Sequence, residues 1–122
     1  MEKTMELAVK YRDYVIGLRR YFHQHPELGG QEVNTSRRVI EELTAMGLEP
    51  KVIGSYKTAV ICDIHGEHPG KTIALRADMD ALNVQELNDC PYKSQVDGVM
   101  HACGHDGHTA SLLGAAKVLM EC

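Results

Sequence analysis

The sequence predicts an α/β fold, and three features predict it. Apolar residues recur every three or four positions in two early stretches, which is helical spacing. The pattern then changes to short β-branched runs between residues 48 and 77. A third helix, apolar over a wide face, follows a long stretch without any period. At 122 residues the chain amounts to one domain or a piece of one, and a globule of that size buries roughly two-thirds of its unfolded surface.

Leu7, Tyr11, Val15, Leu18 and Phe22 lie on one face of a helix over residues 4–25, with Thr4 as N-cap and Pro26 as its stop. Residues 27–32 form a loop. A second helix spans residues 34–46, with Val39, Ile40, Leu43 and Met46 as its buried stripe, Asn34 or Thr35 as its cap and Gly47 at its end. Residues 48–53 are short and β-like. Residues 58–64 and 71–77 read as strands, and the turn at 65–70, with its Gly and Pro, predicts that these two pair as an antiparallel hairpin. Residues 78–104 read as one long loop, a length that in a compact domain is usually functional or disordered. The last helix covers residues 106–120, with Leu112, Leu113, Ala116, Leu119 and Met120 on a broad face that predicts deep burial.

Composition narrows the function. Lys and Arg number 13 against 17 Asp and Glu, a net charge of -4, and phosphate binders normally show the opposite excess. Aromatic content of 5% without Trp disfavours a base-stacking surface as well. The longest mostly apolar run, 111–120, is broken by Lys117 and too short to span a bilayer, and the first residues lack a signal-peptide core. Neither nucleic acid nor a membrane is expected as a partner. Without an export signal, Cys62, Cys90, Cys103 and Cys122 are expected to be reduced thiols in a cytoplasmic protein.

Seven histidines are many for this length, and three of them crowd one stretch with a cysteine and an aspartate: His101, Cys103, His105, Asp106 and His108. Thiolate and neutral imidazole are strong ligands for a borderline metal such as zinc. An extended backbone would put Cys103 and His105 on one side, and a following helix would aim its N-terminus at the thiol. Asp106 is placed to cap that helix or to accept an imidazole N–H. Spacing alone leaves open which histidines ligate, and the bland alternative is a set of surface histidines beside a helix cap. A second candidate is Arg76-Ala77-Asp78-Met79-Asp80, two carboxylates just after a strand; alternatively it is a polar turn. A third, residues 19–28, reads by composition as a helix end whose basic residues suit the helix dipole.

Together these stretches resemble the metal-dependent N-acyl-amino-acid amidohydrolases, the family branch of hippurate hydrolase, bacterial aminoacylases and plant auxin–amino acid conjugate hydrolases. The resemblance rests on Leu18-Arg19-Arg20 with His23, His25-Pro26-Glu27-Leu28 and Glu32; on residues 74–82, Ala-Leu-Arg-Ala-Asp-Met-Asp-Ala-Leu; and on residues 100–110, Met-His-Ala-Cys-Gly-His-Asp-Gly-His-Thr-Ala. It implies the first part of a three-layer α/β/α catalytic domain of the zinc-peptidase type, with helices and a partial mixed sheet, so that residues 1–122 form a single partial domain. It also implies two divalent metals (zinc, manganese, nickel or cobalt), with Cys103 and His105 as ligands and Asp80 supporting them. Asp78 stands where related peptidases carry a metal-binding histidine. The implied reaction is metal-assisted hydrolysis of the amide bond of small N-acyl amino acids by water that a glutamate base activates. By the resemblance that base, the remaining ligands and the lid or dimerisation domain lie outside this sequence, so the 122 residues alone should be inactive. Asn83 and Ala59 depart from residues common in the family. The competing expectation is a non-catalytic metal-binding or self-associating domain from a truncated gene. Either way, exposed strand edges and apolar faces predict a homo-oligomer.

Overall fold

The computed structural model describes residues 1–122. It is α/β, with four helices and one small sheet: α1 Glu2–Lys10, α2 Arg12–Gln24, α3 Val33–Ala45, β1 Lys51–Ile53, β2 Ala59–Ile61 and α4 His105–Glu121.

The expected first helix is two. The chain bends at Tyr11 (φ -95°, ψ 9°), where Lys10 and Tyr11 both bond Glu121 near the end of α4. Thr4 lies inside α1 and caps nothing, because the helix already begins at Glu2. The end of α2 follows the sequence: His25 leaves helical geometry (φ -120°, ψ 58°) because proline disfavours helix in the residue before it.

The N-terminus of α3 is capped from a distance. Neither Asn34 nor Thr35 acts as the cap; both donate. The Glu27 carboxylate accepts the backbone N–H of Asn34 at 3.1 Å and of Thr35 at 2.6 Å, and the Thr35 hydroxyl at 2.7 Å. A carboxylate there satisfies orphan donors and opposes the positive end of the helix dipole. At the other end the N–H groups of Gly47 and Leu48 bond back to Thr44 and Leu43, a Schellman closure.

The sheet differs from the expected hairpin. β1 pairs antiparallel with β2, Val52 opposite Val60, across a turn at 54–57. Residues 71–77 are not a strand, and residues 62–80 make no backbone–backbone hydrogen bond. The β-branched run carries strand propensity, but a ladder needs a neighbour, and none lies beside it. Two isolated bridges, Leu28–Ala81 parallel and Leu82–Met100 antiparallel, organise the long loop instead.

The core lies between α2, α3 and α4: Leu18, Phe22, Val39, Leu43, Ala110, Leu113 and Ala116. Burying each of the larger side chains is worth about 1.5–3 kcal/mol. The α2–α4 approach depends on Gly114, where a Cβ would overlap Val15 Cγ2. The apolar face of α4 is buried only in part, because Leu119 and Met120 lie beyond the packed core and are exposed.

Candidate metal centre

Three separate stretches meet at the N-terminus of α4. The Ala81 N–H bonds the Glu27 carbonyl at 2.8 Å, and Leu82 exchanges hydrogen bonds with Met100 at 2.9 and 3.0 Å. The loop after residue 78 is thereby held between the 25–28 turn and the 100–104 turn. Thr109 Oγ1 of α4 donates to the Asp78 carbonyl at 3.0 Å and ties the same loop down from below.

This arrangement brings Asp80 to His105. The His105 Nδ1 lies 2.9 Å from Asp80 Oδ1 and 3.0 Å from the Asp80 carbonyl. Both partners are acceptors, so Nδ1 carries the proton and Nε2 keeps a free lone pair. A carboxylate on one imidazole nitrogen is the usual support for a histidine that ligates metal through the other. Cys103 is two residues away, a free and exposed thiol.

The backbone between them is not extended, as the two-residue spacing suggested. Gly104 has φ +94°, a left-handed conformation that side chains rarely tolerate, and it turns the chain into α4. The donor chemistry suits a borderline divalent cation: one free thiol and one oriented imidazole. The set is small, since no group of three or more His, Cys, Asp or Glu side chains converges closely enough to hold a metal ion.

The other candidates separate. The Asp78 carboxylate bonds the Arg76 guanidinium instead of the histidine cluster. His108 is exposed, its ring centroid 5.9 Å from that of His105. His101 is buried with no partner on either ring nitrogen, and burial pushes its pKa down against the pull of the Asp106 charge. His65 and His68 are exposed.

Asp106 is neither N-cap nor partner of a candidate ligand. Its Oδ1 takes the Gly107 N–H at 2.9 Å, while Oδ2 takes His23 Nδ1 at 2.8 Å and Arg19 Nε at 3.0 Å. His23 Nε2 faces both oxygens of Glu86 at 3.0 Å. The stretch containing Arg19 and His23, read as a helix end, thus supplies a buried ionic network. The available signal was the i, i+4 spacing of Arg19 and His23 on one helix face. Glu86, in a loop without period, offered none. Burial alone would raise its pKa; hydrogen bonds from His23, the Ser94 N–H and Asn88 outweigh this and hold it at about 2.

Comparison with known proteins agrees with these stretches. Residues 74–122 match the model of peptidase family M20/M25/M40. The chain is 49% identical over 121 residues to thermostable carboxypeptidase 1 of Saccharolobus solfataricus, covering 99% of this chain and 31% of that protein. It is 45% identical over 120 residues to the N-acyl-L-amino acid amidohydrolase of Geobacillus stearothermophilus, covering 98% of this chain and 32% of that one. Its fold matches the crystal structure of the Bacillus subtilis YXEP protein, described as a dinuclear metal binding peptidase of the M20 family, with a TM-score of 0.86 and 45% identity over 92% of this chain and 32% of that one. The chain therefore spans about a third of the length of the relatives it matches. The Asp80, Cys103 and His105 stretches thus lie inside the segment that matches peptidase family M20/M25/M40, and nearly the whole chain is similar to the relatives above.

Proposed function

We propose that the complete protein carrying these residues hydrolyses the amide bond of N-acyl amino acids with two divalent cations, and that Cys103 and His105 are two of the ligands. The observation that carries this reading is the Asp80–His105 pair, which leaves Nε2 free, with the exposed Cys103 thiol two residues away along the chain. The substrate class rests on the Geobacillus relative's name, and the pair of cations on the description of the Bacillus subtilis structure.

Cys103 and His105 would help to hold the divalent cations, which would supply Lewis-acid chemistry for amide hydrolysis when bound. The chain's own residues set the stage for that chemistry. Asp80 fixes the His105 tautomer and makes its imidazole a better donor. Thiolate and imidazole favour zinc by ligand softness, with manganese, nickel and cobalt as the alternatives. Asp78 acts through its backbone, holding the loop to α4 by way of Thr109. We read residues 1–122 as part of one catalytic domain and expect them not to turn over substrate alone, since no three candidate ligands converge in them.

The test is amino-acid release from N-acetyl and N-benzoyl amino acids by the complete protein loaded with each of the four metals. Hydrolysis that a chelator abolishes, and that Cys103→Ser or His105→Ala lowers by a factor on the order of 100 or more, is the expected result. Release that neither treatment changes overturns the reading.

The isolated 122-residue polypeptide is also expected to self-associate, because Ile73, Leu75 and Leu87 stand 78%, 56% and 90% exposed on unpaired backbone. Light scattering across concentration tests this, and a monomer at all concentrations contradicts it. No helix is long and apolar enough to cross a membrane; the cytoplasm is proposed as the working compartment, in keeping with four free cysteines.

A further inference from the structure

Glu86, His23 and Asp106 are 2%, 3% and 2% exposed, and they form one continuous line from the long loop, through α2, to the first turn of α4. Each ring nitrogen of His23 faces a carboxylate, Nδ1 toward Asp106 and Nε2 toward Glu86. The Arg19 guanidinium also donates to Asp106. Glu86 is locked in turn by the Ser94 N–H at 2.6 Å and Asn88 Nδ2 at 3.1 Å.

Stability alone does not account for such a cluster. Desolvating charges is costly, and well-packed apolar replacements of buried ion pairs are often as stable or more so. The position of the cluster suggests a different role. Asp106 directly follows His105, and the turn bearing Cys103 closes on itself through the Ala102 N–H to the Met100 carbonyl and has an anchor at each end. One is the Leu82–Met100 bridge; the other is the start of α4, where the His108 N–H bonds the Gly104 carbonyl. His101 adds no side-chain bond to that turn. Asp80 fixes the ring of His105, and the buried network fixes the backbone that carries it.

We propose that His23 and Glu86 are positioning residues for the metal centre: acting through Asp106, they set the first turn of α4 and so the direction of His105 Nε2 relative to Cys103. This rests on the reading of His105 as a ligand. It differs from a purely structural role in predicting that metal binding falls out of proportion to stability.

The test compares Glu86→Gln and His23→Gln with Leu43→Ala, a core truncation that removes no hydrogen bond of the network. Two quantities are followed: cobalt(II) affinity, and the NMR resonance of the His105 Nδ1 proton in metal-free protein. Glu86→Gln keeps the size and one acceptor oxygen, so it carries the test if His23→Gln fails to fold. With helix content retained, Glu86→Gln is expected to weaken cobalt binding about 10-fold and to shift the His105 proton or speed its exchange. Leu43→Ala, though less stable, is expected to bind cobalt within about twofold of the parent and to keep that resonance, since it leaves the network intact. Parent-like cobalt affinity and an unshifted resonance in Glu86→Gln overturn the proposal, as does equal weakening in Leu43→Ala. If the parent protein binds no cobalt, the ligand reading fails, and the metal-free resonance alone decides whether the network positions His105.

Discussion

Acid should dismantle the buried network at Glu86 first, and the structure sets the size of the effect. Its carboxyl titrates at about 2 in place of the ordinary 4.5. At about 1.4 kcal/mol per pH unit, that gap is worth about 3 kcal/mol of folding stability. The folded-state value is the lower one, so the unfolded chain takes up the proton first. The contribution is therefore complete above about pH 4.5 and declines as the pH falls toward about 2. Between pH 6 and pH 3 the parent should lose about 2 kcal/mol through this one group. The assay is urea unfolding followed by circular dichroism at several pH values, on the parent chain and on Glu86→Gln. Other carboxylates contribute in both backgrounds and cancel in the difference. The variant should be less stable at neutral pH, with a shallower acid slope, so that the two curves converge in acid. Parallel curves would show that Glu86 is not held by His23, Ser94 and Asn88, and would refute the reasoning.

Two further outcomes follow from the packing. Gly114→Ala should cost about 1–3 kcal/mol, because the new Cβ meets the β-branched Val15, which has one favoured helical rotamer; pairing it with Val15→Ala should recover part of the loss, and an unchanged melting temperature in the single variant would place α2 and α4 further apart than described. Glu27→Ala should cost about 1–2 kcal/mol by removing the cap of α3. Hydrogen exchange should speed up at the amides of Asn34 and Thr35, and unchanged exchange there would argue against the cap.

The helices were legible because their apolar stripes are local. Leu18 and Phe22 on α2, and Val39 and Leu43 on α3, are buried as the spacing required. What depended on distant partners was not legible. The bend at Tyr11 follows contacts with Glu121, more than a hundred residues on, and the α3 cap comes from a glutamate outside the helix. Strand propensity in residues 71–77 was visible, but propensity does not name a neighbour, and the pairing went to residues 51–53 instead. At the site, Cys103, His105 and Asp80 stood out through motif and resemblance, and the structure joins the last two directly. Glu86 and His23 become meaningful only once the loop is folded onto α2, because neither sits in a local pattern that distinguishes a buried ionic group from a solvated one.

The central claim is that Cys103 and His105 together offer a divalent metal its first two ligands. Cobalt(II) titration of the 122-residue chain tests it most directly, read by thiolate-to-cobalt charge-transfer absorption. The account predicts a weak site whose thiolate band disappears in Cys103→Ser, weakens sharply in His105→Ala, and survives replacement of Cys62, Cys90 and Cys122 together by serine. A band that persists in Cys103→Ser and vanishes when the other three cysteines are replaced would contradict it.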